Sequence, residues 1–103
     1  LNSGAGRQAA AGWSAYSASK HAARGWCDAL RAEEPEIRVT SVFPGRIATD
    51  MQRVIRAQEG LPYIPDEYLD PNTVARVVGD ALETPRDASL TDVVVRPALP
   101  PLL

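Results

Sequence analysis

Cysteine occurs once, at Cys27, so no disulfide can close within the chain, and a reducing, cytoplasmic setting is the expectation. Histidine also occurs once, at His21, and without a second imidazole to partner it no metal site is expected. No apolar run approaches the roughly 20 residues that cross a bilayer. No basic-then-apolar beginning reads as a signal peptide. An excess of positive charge is missing too: 11 Lys and Arg stand against 13 Asp and Glu, for a net charge of -2. Nucleic-acid binding needs a clustered basic surface and is not expected. Methionine occurs only at Met51, and the chain does not begin with one.

What is present is ordinary for a globular protein: 103 residues, 45% hydrophobic and 23% charged, enough for about one small domain. The distinctive stretch is Tyr16-Ser17-Ala18-Ser19-Lys20, at the start of an alanine-rich run. On a helix, residues four apart share a face, with Cβ atoms roughly 5–6 Å apart. Tyr16 and Lys20 would then present a phenol beside an ammonium. A free phenol has a pKa of about 10 and moves protons poorly near neutrality. A neighbouring cation favours the phenolate. A phenol tuned in this way can give a proton to a carbonyl oxygen or take one from an alcohol. The bare four-residue spacing is common, and alone it describes an ordinary solvated helix face.

The chain reads as α/β. Leu1 to Ser3 resembles the end of a strand, and Ser3 at a strand's carboxyl end is placed for chemistry. Gly4 to Ser14 is a loop rich in Gly and Ala. A helix follows over 15–33, with Ala15, Ala18, Ala22, Ala23, Trp26, Ala29 and Leu30 recurring at threes and fours. The β-branched stretch at 37–43 predicts a strand, and Pro44-Gly45 breaks it. Residues 50–68 read as irregular, broken by Gly60, Pro62 and Pro65. Asp70-Pro71 is a helix start, an N-cap followed by Pro at the first helical position, and predicts a helix over 71–83. The run at 90–96 predicts a last strand, and Pro97 to Leu103 is irregular.

Ser3, Tyr16-x-x-x-Lys20 and Pro44-Gly45-Arg46-Ile47-Ala48-Thr49, in this order and spacing, resemble the short-chain dehydrogenase/reductase family in its compact single-domain branch. The likeness runs from Ser3 to about Pro97. It implies the C-terminal half of a Rossmann-like doubly wound parallel sheet with flanking helices, and NAD or NADP as cofactor. In the family Ser3 would orient the substrate carbonyl, Tyr16 would carry the proton, and Lys20 would support Tyr16 and bind the nicotinamide ribose. Pro44, Gly45, Ile47 and Thr49 would pass beside the nicotinamide. The segment 50–68 would be a substrate lid, with Gly4, Met51 and Tyr63 as substrate contacts. The helix 15–33 and the last strand would build a homodimer or homotetramer.

The resemblance also implies a Gly-rich dinucleotide turn in a preceding half. Gly4-Ala5-Gly6-Arg7-Gln8-Ala9 fits the loose G-x-G-x-x-A pattern but lies between Ser3 and Tyr16, where a substrate loop belongs. The chain therefore reads as the C-terminal part of one NAD(P)-binding domain whose N-terminal dinucleotide-binding half lies outside it. The expected activity is interconversion of an alcohol with a ketone or aldehyde by hydride transfer. Two alternatives stay open: an oligomerising fragment without activity of its own, and a family-type epimerase or dehydratase.

Overall fold

The structure, a computed structural model, describes residues 1–99. Of the irregular tail expected at 97–103, the last four residues lie outside the described range. The elements in chain order are a short 3-10 turn at Gly4–Gly6, helix α1 at Ser14–Glu33, strand β1 at Ser41–Pro44, helix α2 at Asp50–Glu59, a 3-10 turn at Pro65–Glu67, helix α3 at Pro71–Leu82 and strand β2 at Asp92–Val95.

β1 and β2 pair in parallel, with Ser41 opposite Asp92 and Pro44 opposite Val95. Parallel neighbours require a crossover, and α2 and α3 supply it. All four β1 residues are buried, as expected where both faces of a strand are covered. Alternation decides what covers each face. Phe43 is fully buried, with the guanidinium groups of Arg7 and Arg24 over its ring at 5.8 and 5.6 Å. Val42 points the other way, into a hollow it lines with Val78 of α3 and Leu90. One face of β1 therefore meets the α1 layer and the other meets α3, as in a doubly wound sheet. Asn2 N–H donates to the Val42 carbonyl at 2.7 Å, so Leu1 to Ser3 runs beside β1 as a strand end would.

The strand expected at 37–43 is shorter and begins later. Pro35 to Ile37 turn, and residues 38–40 are tied by side chains instead of a ladder. Arg38 Nη1 donates to the carbonyls of Thr84, Pro85 and Ala88 at 2.7–3.0 Å. Thr40 Oγ1 donates to the Leu90 carbonyl at 2.6 Å. These contacts close the loop after α3 without strand pairing.

The alanine-rich face of α1 is not the one that meets the sheet. Trp26 is 67% exposed, and Ala15, Ala18, Ala22, Ala23 and Ala29 are exposed with it. The inner side carries Ser17, Lys20, Arg24, Cys27 and Arg31. Arg31 donates to the Val39 carbonyl at 3.1 Å and to the Thr91 carbonyl at 3.2 Å. Arg24 lies 3.6 Å from Asp92. Arginine side chains thus meet the sheet, Arg24 over the Phe43 ring as well as beside Asp92.

The first half of the segment expected to be irregular is α2, which runs for ten residues. The Thr49 hydroxyl caps it, accepting from Gln52 N–H at 3.3 Å. Gly60 ends it at φ 69°, in the left-handed region that favours glycine. Arg56 anchors the helix inward. Its Nε donates to the Tyr68 hydroxyl at 2.6 Å, and its Nη1 lies 3.3 Å from Glu59. The hydrogen bond to Tyr68, opposed by desolvation, raises the Arg56 pKa above the usual arginine value. Both side chains are buried. Tyr68→Phe removes a hydroxyl that serves a charged donor, a bond worth about 1.5–3 kcal/mol. A loss of that size is expected in the urea midpoint with an unchanged slope; a loss under about 0.5 kcal/mol would show the pair to be incidental.

α3 begins as its sequence predicts, with Asp70 accepting from Asn72 N–H at 2.8 Å and Pro71 in the first turn. Among the described residues no helix is long and apolar enough to cross a membrane.

Candidate active site

Ser3 follows the strand-like start of the chain and Gly45 follows the carboxyl end of β1, the side on which open α/β sheets place their ligands. Tyr16 and Lys20 lie one turn apart on α1, on the same face. The Lys20 ammonium sits over the Tyr16 ring, 5.6 Å from its centre. Tyr16 remains 41% exposed. Among the described residues Lys20 has no carboxylate within 4.0 Å, so its charge is not consumed by an ion pair. It is also the only lysine in the chain. Trp13 packs edge-on against the Tyr16 ring at 5.8 Å, which steadies the phenol from the loop side.

Ser3 lies just after the strand-like start of the chain, in extended backbone, and its hydroxyl caps the 3-10 turn by accepting from Ala5 N–H at 3.2 Å. The turn that it caps packs on α1. Gly6 makes that approach possible: a Cβ at this position would fall on Asn2 Oδ1 and lie 3.0 Å from the Lys20 carbonyl. Gly4 opens onto free space.

Pro44 ends β1, and Gly45 N–H donates to the Val95 carbonyl at 2.7 Å. A Cβ on Gly45 would lie 3.1 Å from Pro97 Cδ. A side chain at Gly45 would therefore press on Pro97, just past the end of β2, whether or not a ligand is bound. Ile47 forms a parallel bridge to Leu69 through its neighbours: Leu69 N–H donates to Arg46 and Ala48 N–H donates to Leu69. The Ile47 N–H and C=O take no part in that bridge. Thr49 serves as the α2 cap. Met51, on the first turn of α2, is 71% exposed, and Tyr63 packs on Tyr68 at 5.3 Å.

Between the loop and α2 runs an open cleft of about 480 Å³, lined by Gly12, Trp13, Ile55, Gln58 and Glu59. Its lining does not include Met51 or Tyr63; α2 presents Ile55 and Gln58 to it instead. Glu59 also reaches Arg46 at 3.8 Å, which links the cleft wall to the turn after β1. Sequence reasoning singled out neither Asn2 and Gly6 nor this α2 face. A helical reading of 50–59 from the Thr49 cap and Gly60 would have found the last.

The family model for short chain dehydrogenases matches residues 1–60, more than half of the chain. The chain belongs to the short-chain dehydrogenase family. The matched part of this short-chain dehydrogenase family member includes Ser3, α1, β1 and α2. An uncharacterized short-chain type dehydrogenase/reductase from Sinorhizobium fredii is 36% identical over 89 residues, 82% of this chain and 36% of its own. Mouse dehydrogenase/reductase SDR family member 7B is 41% identical over 92 residues, 79% of this chain and 28% of its own. The matched part of the chain thus spans about a third of the length of such relatives, 36% of one and 28% of the other. In fold it is similar to an alcohol dehydrogenase from the archaeon Thermococcus sibiricus, solved with 5-hydroxy-NADP, with a TM-score of 0.77 at 24% identity. That likeness covers 99% of this chain and 42% of the archaeal one.

Proposed function

We propose that the protein carrying this chain is an NAD(P)-dependent oxidoreductase that interconverts an alcohol with a ketone or aldehyde. The observation that carries this reading is the Tyr16–Lys20 pair: a partly exposed phenol with an ammonium 5.6 Å over its ring that meets no carboxylate among the described residues. Tyr16 Oη gives its proton to the carbonyl oxygen in reduction and takes it back in oxidation. Lys20 stabilises the negative charge that grows on the phenol oxygen as the proton leaves. Ser3 orients the carbonyl by hydrogen bonding. Trp13 shields the pair from water on the loop side.

A nicotinamide cofactor, when bound, supplies or accepts the hydride. The residues present fit it. Ile47 N–H and C=O, free of the Leu69 bridge, suit a carboxamide, and the free Lys20 ammonium suits ribose hydroxyls. Pro44, Gly45 and Thr49 flank the same turn. The archaeal neighbour's solved structure, complexed with 5-hydroxy-NADP, accords with this choice. The chain is then the C-terminal part of one dinucleotide-binding domain, with Gly4, Met51 and Tyr63 at the substrate side. A homodimer or homotetramer would use the exposed face of α1 around Trp26 and the last strand.

The test is on the intact protein. NAD(H) or NADP(H) should raise its melting temperature, and a carbonyl compound from an aldehyde and ketone panel should drive loss of nicotinamide absorbance. Residues 1–103 alone should do neither. Failure of the intact protein on both counts would overturn the reading.

A further inference from the structure

We propose that Asn2 is a positioning residue for the oxidoreductase chemistry, setting Ser3 and Lys20 against each other from the strand end. The inference rests on the function proposed above. Asn2 makes three bonds to three different parts of the fold. Its backbone N–H donates to Val42 on β1 at 2.7 Å. Its side-chain Oδ1 accepts from the Ser3 N–H at 2.7 Å. Its Nδ2 donates to the Lys20 carbonyl at 3.0 Å, across eighteen residues of sequence. The two side-chain partners fix which end of the amide is oxygen, because one partner only donates and the other only accepts.

No other side chain of similar size does this. A carboxylate has no donor for the Lys20 carbonyl, and an aliphatic side chain offers neither group. Gly6 shows that the fit is close, since a Cβ there would displace Oδ1 and crowd the same Lys20 carbonyl. The clasp acts at the root of the lysine side chain and at the amide of the serine. Tyr16 lies one turn before that root on the same helix. Loss of the clasp would let the strand end and α1 slide relative to each other. A misplacement of about 1 Å can cost about a hundredfold in rate.

The experiment uses intact protein with parent turnover established. Asn2→Ala should lower kcat per folded site by about ten- to a hundredfold. The cofactor KM should rise by less than kcat falls, because the clasp sets both the proton step and the Lys20 contact to ribose. The isotope effect with a cofactor deuterated at the transferred position should grow, because hydride transfer becomes more rate-limiting. Gly6→Ala should reproduce the loss by pushing Asn2 aside, and the double variant should lose far less than the product of the two, since neighbours in one network are not additive. Asn2→Asp keeps the acceptor for Ser3 but replaces the donor to Lys20 by a charged acceptor that repels its carbonyl; it should show the same kinetic pattern, at least as strongly, and serves if Asn2→Ala does not fold.

A brace that merely holds the fold would lower the melting temperature while leaving per-site kcat and the isotope effect at parent values, and that result overturns the proposal. It differs from failure of the oxidoreductase reading, in which the parent itself shows no carbonyl-dependent turnover and the Asn2 proposal falls with it.

Discussion

Tyr16→Phe is expected to lower kcat by about 10²–10⁴-fold, the usual share of a positioned general acid or base. The substitution removes one oxygen. It leaves the ring that Trp13 meets at 5.8 Å and that the Lys20 ammonium overlies at 5.6 Å. Folding should therefore be little changed, and dinucleotide binding should remain measurable. Those two controls make the result specific, because a variant that still binds cofactor yet cannot turn over has lost the proton step. Retention of near-parent kcat by Tyr16→Phe would remove Tyr16 from the chemistry, whatever the geometry around it.

The largest expected effect on stability comes from Phe43→Ala. Phe43 is the largest fully buried side chain among the described residues. It is the point where β1, the loop and α1 converge, through Arg7 and Arg24 over its ring. Truncating a buried Phe to Ala typically costs about 3–5 kcal/mol, from lost transfer energy and the cavity left behind. Losing two cation–π contacts adds about 0.5–1 kcal/mol each where the cations are partly exposed. Chemical denaturation of the intact protein should show a loss in this range. A loss below about 1.5 kcal/mol would mean that the site collapses around the hole and that Phe43 does not hold α1 to the sheet.

Much of the site could be read from residue order alone, for local reasons. Tyr16 and Lys20 share a face because the helix repeat demands it, and Asp70-Pro71 starts α3 because cap and proline chemistry act within one turn. The doubly wound arrangement came through the family resemblance of Ser3, Tyr16-x-x-x-Lys20 and the Pro44-Gly45 turn, not through the strand pattern itself. What escaped depends on distant partners. Asn2 acquires its meaning only through Lys20 and Val42, far along the chain. β1 starts late because Arg38 and Thr40 spend themselves on carbonyls some fifty residues away. The alanines of α1 recur at threes and fours, yet the helix meets the sheet through Arg24 and Arg31. Alanine there reflects helix propensity, and arginine stems cover apolar ground without looking apolar. α2 was hidden by its polar composition, although Thr49 and Gly60 mark both of its ends.

Gly45 N–H is bonded to the Val95 carbonyl, and a Cβ added there would press on Pro97 at 3.1 Å. An inactive Gly45→Ala variant would therefore report on the seam between the two strands as well as on cofactor recognition, whereas Thr49, whose hydroxyl caps α2, lies outside that seam.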